Sequence, residues 1–124
     1  MGKILIVEDN PVNMELAKDL LEMSGHNVVE ATNGQEAIDI AGSAKPDLIL
    51  MDIQLPGIDG LAATRVIKNN PETKDIPVIA LTAFAMKTDE NKARESGCDG
   101  FITKPINTRI FPKQVGHFLG IEGE

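Results

Sequence analysis

Short apolar runs alternate along the chain with longer segments in which apolar residues recur at helical spacing. The runs are too short for helices, and their apolar residues are consecutive rather than alternating, which is typical of strands covered on both faces in a parallel sheet. They lie at residues 4–7, 28–29, 48–51, 78–81 and 101–102, with the second and the last the weakest. We therefore expect five buried parallel strands.

The segments between the runs are amphipathic and predict five helices. In the first, Val12, Leu16, Leu20 and Met23 fall on one apolar face, and Gly25 ends the helix. The segment at residues 86–97 is helical in composition but has few large apolar residues. The other three are marked by Ala37, Ile38 and Ala41, by Ala63, Val66 and Ile67, and by Phe111, Val115 and Phe118.

The start of the last helix has two possible positions. A cap at Asn107 or Thr108 puts Pro112 inside the early turns, where proline removes a backbone hydrogen bond. Alternatively the regular helix begins near Pro112, because proline is tolerated in a first turn. The sequence leaves both positions open.

Five strands alternating with five helices imply right-handed βαβ crossovers and an α/β three-layer sandwich. Nothing in the sequence resembles a linker, a repeat or a low-complexity tract. We therefore expect residues 1–124 to form a single domain, with no output domain.

Composition narrows the functional classes. The formal net charge of −7 opposes direct binding to nucleic acid, and an acidic cleft suits a cation better. The single cysteine excludes a disulfide framework and a thiolate metal site. No apolar run approaches the roughly 20 residues that span a bilayer, and the first residues leave no room for a signal peptide. We therefore expect a cytoplasmic protein with no membrane contact.

Residues capable of chemistry follow four of the five runs. In open α/β sheets, ligands bind at the carboxyl ends of the strands, so these residues should converge on one edge. They are Glu8 and Asp9 after the first run, Asp52 after the third, Thr82 (followed by the small Ala83) after the fourth, and Thr103 and Lys104 after the fifth.

Three carboxylates this close repel one another unless a cation intervenes, and hard oxygen ligands with open positions suit Mg²⁺. Asp52 is placed as a nucleophile, and a carboxylate that attacks phosphorus gives an acyl phosphate. Mg²⁺, Lys104 and the Thr82 hydroxyl then cover the three equatorial phosphoryl oxygens, since phosphoryl transfer needs positioning and charge neutralisation.

Four motifs give the chain a family resemblance over essentially its whole length. They are LIVEDN at residues 5–10, PDLILMDIQLPGIDG at 46–60, PVIALTA at 77–83 and FITKP at 101–105. In this order and spacing the chain resembles the receiver domains of two-component response regulators, especially the stand-alone, single-domain type. The resemblance implies a flavodoxin-like (βα)5 fold with a parallel sheet in the order 2-1-3-4-5.

The resemblance also implies roles for individual residues at the acidic edge. Asp52 matches the phosphoacceptor. Asp9 matches a direct ligand of Mg²⁺ or Mn²⁺, and Glu8 matches the acidic neighbour that acts through water. The backbone carbonyl of Gln54 matches a further metal contact.

The remaining matches concern the response to phosphorylation. Thr82 matches the hydroxyl that follows the phosphoryl group, and Ala83 matches the small residue beside it. Lys104 matches the phosphate-pairing lysine, and the Lys104–Pro105 peptide bond is cis in such proteins. Phe101 matches the switch aromatic that turns inward on activation, and as Phe it has no hydroxyl to hydrogen-bond.

The partners implied are a histidine kinase or a histidine phosphotransfer protein and downstream protein targets, reached through the fourth helix, fifth strand and fifth helix. We expect a phosphoacceptor rather than an enzyme, monomeric or weakly dimeric when phosphorylated, with no direct nucleic-acid partner. Gln54 and Phe84 occupy the positions that tune access of the hydrolytic water. The bulk of Phe84 predicts a fairly long-lived phosphoform.

Four other functions compete with this one. A calcium loop after Asp52 fails because Pro56 and Ala63 replace required oxygen ligands. A phosphatase with an aspartyl-phosphate intermediate needs a second carboxylate where Gln54 stands. A flavin- or nucleotide-binding module needs a glycine-rich loop, which follows none of the runs. An adaptor that is not phosphorylated is expected to have lost Asp52 or Lys104, and this chain keeps both.

Overall fold

A computed structural model describes residues 2–55, 57, 59–82 and 87–120, with side chains inside the fourth helix described from residue 91 onward. Strands and helices alternate strictly along the described chain. The strands are β1 (Lys3–Val7), β2 (Asn27–Ala31), β3 (Leu48–Asp52), β4 (Val78–Thr82) and β5 (Gly100–Thr103). The helices are α1 (Pro11–Met23), α2 (Gly34–Ala44), α3 (Gly60–Asn69), α4 (Lys87–Glu95) and α5 (Phe111–Phe118).

The five strands form one parallel sheet in the order β2-β1-β3-β4-β5. The predicted α/β sandwich and its strand order are therefore confirmed. The order reverses direction between β1 and β3, because the chain moves outward to β2 and then back across β1. The carboxyl ends of these two strands flank the point where ligands bind in such sheets.

Helices cover both faces of the sheet, so successive strand residues point into two different cores. Ile4 and Leu50 pack toward α1 and α5, together with Met14, Leu21 and Phe111. The opposite core lies under α2, α3 and α4 and includes Leu5, Ile49, Ala37, Ile67 and Ala93. Burial on both faces explains why the strands are continuously apolar.

Of the apolar face predicted for α1, only Leu20 packs against the core, where it is partly buried. Met14, Ala17 and Leu21 are the buried residues of α1. Val12 and Met23 are 74% and 84% exposed. The helix has two apolar sides, and the side that includes the small Ala17 meets the sheet because it allows close approach. An apolar stripe therefore remains on the outer surface of α1.

The start of α5 combines the two positions that the sequence left open. The regular helix begins at Phe111, with Pro112 in its first turn. Residues 108–110 form an irregular turn, in which the Asn107 carbonyl accepts hydrogen bonds from the Ile110 and Phe111 N–H groups at 3.1 and 2.8 Å. Pro112 costs no helical hydrogen bond in this arrangement.

The α4 helix begins at Lys87, one residue after the predicted start, and Met86 lies outside the described residues. Within the described part of the chain, no helix is long and apolar enough to cross a membrane.

Candidate active site at the carboxyl edge of the sheet

Asp52 ends β3 and is 4% exposed at the carboxyl edge of the sheet. The following loop folds back over it, since the Gln54 N–H donates to Asp52 Oδ1 at 2.9 Å. Gly60, the first residue of α3, lies directly against this backbone: a Cβ at Gly60 would stand 2.6 Å from the Ile53 Cα and would overlap the Asp52 carbonyl. A glycine is therefore needed here because two chain segments approach each other closely. Its φ is not in the left-handed region, so backbone freedom is not the reason.

Lys104 connects Asp52 to Glu8 across the strand ends. Its ammonium donates to Asp52 Oδ2 at 2.9 Å and to Glu8 Oε1 at 2.7 Å. Both carboxylates are buried, while the lysine side chain is 17% exposed. Ammonium–carboxylate hydrogen bonds of this length are strong when little water competes with them.

Glu8 and its neighbours are held by the turn between β1 and α1. The Asn10 side chain caps α1 by accepting from the Val12 and Asn13 N–H groups, as such a residue should. The Asn10 N–H in turn donates to Glu8 Oε2 at 3.2 Å. The helix cap thus fixes the direction of the Glu8 carboxylate.

Burial raises the pKa of Glu8, and the nearby Asp52 raises it further, while the hydrogen bond from Lys104 opposes both effects. Burial alone would lower the pKa of Lys104, but hydrogen bonds to Glu8 and Asp52 outweigh that effect and raise it. The lysine is therefore charged at neutral pH, and its charge is already divided between two carboxylates.

Glu8, Asp9 and Asp52 each offer a carboxylate oxygen, and these oxygens lie within 4.8 Å of one another. Asp9 is the exposed member, while the other two are buried. Three carboxylates and one ammonium leave two negative charges at the edge. The donors are hard oxygens, and one of them faces solvent, so the set fits a small divalent cation that keeps part of its water shell.

The other residues implied by the resemblance lie at the same end of β4 and β5. Thr82 ends β4, is buried, and pairs in register with Thr103. The Thr82 carbonyl accepts a hydrogen bond from the Lys104 N–H at 2.7 Å, which holds the Lys104 backbone beside the end of β4. The Lys104–Pro105 peptide bond is cis. Ala83 and Phe84 lie outside the described residues.

Phe101 lies in β5, half-buried, opposite Ala80 of β4 in the register of the sheet. Sequence reasoning missed one of its charged neighbours: the Arg94 guanidinium of α4 is 5.9 Å from the centre of its ring. A basic residue seven positions before an aromatic in another element gives no sequence signal.

Sequence reasoning also missed a groove beside the site. It has a volume of about 380 Å³ and is lined by Asn13 and Leu16 of α1 and by Lys104, Pro105 and Ile106. One side of the groove is therefore the lysine that contacts Asp52, and the other is the outer face of α1.

Comparisons with known proteins find similar sequences and structures. The sequence matches the response regulator receiver domain over residues 4–115. It is 50% identical to the polar-differentiation response regulator DivK of Brucella anthropi over 94% of this chain and 95% of that protein. The DivK protein of Brucella ovis is 49% identical with the same coverage.

Two solved structures show the same fold. A receiver domain of a sensor histidine kinase from Pseudomonas aeruginosa, with magnesium coordinated in its active-site cleft, is 34% identical with a TM-score of 0.88. That match covers 96% of this chain and 98% of the other. A chemotaxis response regulator of Vibrio cholerae is 25% identical with a TM-score of 0.90, over 94% of this chain and 98% of that one.

Proposed function

Because the chain belongs to the family of response regulator receiver domains, we propose that it is a phosphoacceptor switch in which Asp52 receives a phosphoryl group from a phosphohistidine. The donor is a histidine kinase or a histidine phosphotransfer protein. The observation that carries the proposal is the convergence of Asp52, Lys104 and the acidic cluster at one edge of the sheet.

The transfer forms one bond and breaks one. A lone pair of an Asp52 carboxylate oxygen attacks phosphorus, and the electrons of the phosphorus–nitrogen bond return to the departing imidazole. Lys104 moves from the two carboxylates to a phosphoryl oxygen, and the Thr82 hydroxyl donates to another. Both groups start at the same sheet edge as the acceptor, so little reorganisation is required.

The same edge would hold Mg²⁺, or Mn²⁺, through Asp9, Asp52 and the backbone carbonyl of Gln54, with Glu8 acting through water. A bound divalent cation neutralises negative charge on the transferring phosphoryl group. The edge suits such a cation because its donors are hard oxygens and because it carries an excess of two negative charges.

The outer side of α1 is the surface that we assign to the phosphohistidine-bearing helix of the donor protein. Val12 is 74% exposed and Leu16 is 39% exposed. Leu16 also lines the groove that contains Lys104, so this apolar surface is continuous with the acceptor site. An apolar helix face that packs there positions its histidine above Asp52.

The response is read by protein partners at α4, β5 and α5. Among the described side chains of α4, only Ala93 is buried. An element with few apolar anchors is among the easier ones to shift. Movement of Thr82 toward the phosphoryl group, with inward rotation of Phe101, changes this surface.

The product of the transfer is an aspartyl phosphate on the protein itself, so the reaction is read directly from the mass of the protein. Intact mass after incubation with acetyl phosphate tests the proposal directly. We expect one added phosphoryl group in the wild type that requires Mg²⁺ and is absent in Asp52→Asn. Asp39→Asn is the matched control, because Asp39 is an exposed carboxylate on α2, away from the site.

If the wild type gains no phosphoryl group while circular dichroism shows an intact fold, the proposal is wrong. The chain would then be an adaptor that uses the receiver fold without phosphorylation. A phosphoryl group that also appears on Asp52→Asn would place the acceptor at another residue.

A further inference from the structure

The two buried carboxylates of the acidic edge are held by the same pattern of contacts. In each, one oxygen accepts a hydrogen bond from the N–H group two residues further along the chain. Gln54 donates to Asp52 at 2.9 Å, and Asn10 donates to Glu8 at 3.2 Å. The other oxygen of each carboxylate accepts from the Lys104 ammonium. Both carboxylates are therefore fixed through both of their oxygens.

The backbone donors of these two contacts are held in different ways. The loop that contains Gln54 leaves Asp52 directly against Gly60, so close packing holds it. Asn10 is exposed, and its own side chain holds its backbone in place. Its Oδ1 accepts hydrogen bonds from the N–H groups of residues 12 and 13 at 2.9 and 3.1 Å. The donor to Glu8 is therefore positioned by a helix cap.

Pro11 adds to this constraint. A residue that precedes proline is restricted to extended backbone, and Asn10 has φ −89° and ψ 117°. Extended backbone is also what an N-cap residue adopts, so the proline and the cap hold the same turn. That turn includes Asp9, the exposed carboxylate of the cluster. The Asn10 cap thus acts on two of the three carboxylates at the edge.

We propose that Asn10 is a positioning residue for the divalent cation, whose affinity depends on the directions in which this cap holds Glu8 and Asp9. Direction matters because Mg²⁺ demands near-ideal octahedral geometry. Groups that orient metal ligands without touching the metal change its affinity when they are removed. The inference rests on the proposed function, which assigns the cation to this edge.

The test measures Mg²⁺ affinity with no phosphodonor present. The chain has no Trp or Tyr, so amide shifts of the ¹⁵N-labelled protein follow the titration in place of intrinsic fluorescence. We expect Asn10→Ala to raise the Kd for Mg²⁺ by roughly fivefold, less than the loss of an orienting group usually costs, because the backbone N–H remains. Asn10→Ser should bring the Kd to within about twofold of the wild type, since a serine hydroxyl also caps a helix.

Asn33→Ala is the matched control. Asn33 is the N-cap residue of α2, where its side chain accepts from the Glu36 N–H at 2.9 Å. The three carboxylates of the acidic cluster lie in other turns. Loss of either cap should lower Tm by roughly 3–6 °C. Only Asn10→Ala should also lose Mg²⁺ affinity, which separates positioning of the ligands from a general loss of stability.

Phosphorylation by acetyl phosphate gives a second readout. Asn10→Ala should need several-fold more Mg²⁺ than the wild type to reach half of its maximal rate. Its rate at saturating Mg²⁺ should stay within about twofold of the wild type, because a higher concentration overcomes a weaker affinity. If Asn10→Ala does not fold, Asn10→Gly replaces it, since glycine is a better tolerated N-cap residue that also lacks the capping oxygen.

Three results would overturn the proposal: an unchanged Kd in Asn10→Ala, equal losses of affinity in Asn10→Ala and Asn33→Ala, or an affinity of Asn10→Ser as weak as that of Asn10→Ala. The proposed function fails separately. An unchanged Kd in Asn10→Ala with a phosphoryl group on Asp52 would keep the switch and remove the role of Asn10. A raised Kd with no phosphoryl group on Asp52 would do the reverse.

Discussion

The central strands of the sheet and its β5 edge differ in how deeply they are buried. Every residue of β3 is buried, and so are residues 4–7 of β1, whereas only one of the four residues of β5 is buried. The acidic cluster lies at the ends of the buried strands. The half-buried Phe101 lies on the β5 edge, and the exposed Arg94 of α4 lies beside it.

This difference separates two requirements of a switch. A phosphoacceptor must keep its geometry, because a displacement of about 1 Å at a reacting centre is costly. A surface that reports phosphorylation must change, so it is drawn from the less stable part of a fold. The hydrogen bonds from Lys104 to Glu8 and Asp52 cross the boundary, since Lys104 follows β5 while both carboxylates lie at the ends of buried strands.

Lys104→Met gives the largest expected effect, because it leaves two buried carboxylates side by side. Removing one partner of a buried ion pair costs about 3 kcal/mol, and we expect a loss near that value at pH 7.5 in EDTA. Urea unfolding measures it. Lys74→Met is the control, since Lys74 is exposed on the loop before β4.

The same variant has a defined pH dependence. Burial and Asp52 hold the pKa of Glu8 above its ordinary value, and the loss of the Lys104 hydrogen bond raises it further. A carboxyl group whose folded pKa is raised favours the fold most below its unfolded pKa, and this contribution is lost as the pH rises through the folded pKa. The stability deficit of Lys104→Met should therefore shrink between pH 7.5 and pH 5. A deficit that grows on acidification would contradict the assigned contacts.

Gly60→Ala should have the next largest effect, because its Cβ would stand 2.6 Å from the Ile53 Cα beside the acceptor. Overpacking of this kind costs about 1–3 kcal/mol, and here the backbone must move. Gly42→Ala is the matched control in α2, where nothing lies within 4 Å of the added methyl group. The free energy of unfolding of that variant should increase by about 0.5–1 kcal/mol, because alanine has the higher helix propensity. Thermal unfolding of the two variants measures this difference. Equal shifts of Tm in Gly60→Ala and Gly42→Ala would exclude close packing at Gly60.

The buried central strands are also the part of the fold that the sequence predicts best. Continuous apolar runs identify buried parallel strands, and the carboxyl ends of such strands meet at one edge, so the pattern alone brings Glu8, Asp52 and Lys104 together. The contact of Lys104 with both carboxylates does not follow from the pattern, because side-chain geometry sets it.

Prediction was weaker wherever a surface had more than one apolar side. The α1 stripe that includes Val12 and Leu16 has helical spacing, but spacing alone does not say which side meets the sheet. The start of α5 stayed open for a similar reason, since Pro112 is compatible with two positions. Arg94 gave no signal at all, because its neighbour Phe101 comes from another element. The metal ligands and the roles of Thr82 and Phe101 stay predictions.

The contact between Arg94 and Phe101 gives the smallest expected effect and probes the β5 edge. A cation over an aromatic ring at an exposed site contributes about 0.5–1 kcal/mol. A double-mutant cycle with Arg94→Gln, Phe101→Leu and the double variant isolates that coupling from the separate cost of each change. Urea unfolding should give a coupling near the lower end of that range, since the distance of 5.9 Å from the guanidinium to the centre of the ring is long.

The coupling also tests how the proposed acceptor site and the β5 edge communicate. If Phe101 turns inward when Asp52 is phosphorylated, the ring leaves the guanidinium, so Arg94 stabilises the unphosphorylated arrangement. Arg94→Gln should then accept a phosphoryl group from acetyl phosphate slightly faster than the wild type, by about twofold for a coupling of 0.5 kcal/mol. A coupling of zero, or slower phosphorylation of the variant, would mean that α4 does not restrain Phe101, and that other contacts hold Phe101 at the β5 edge.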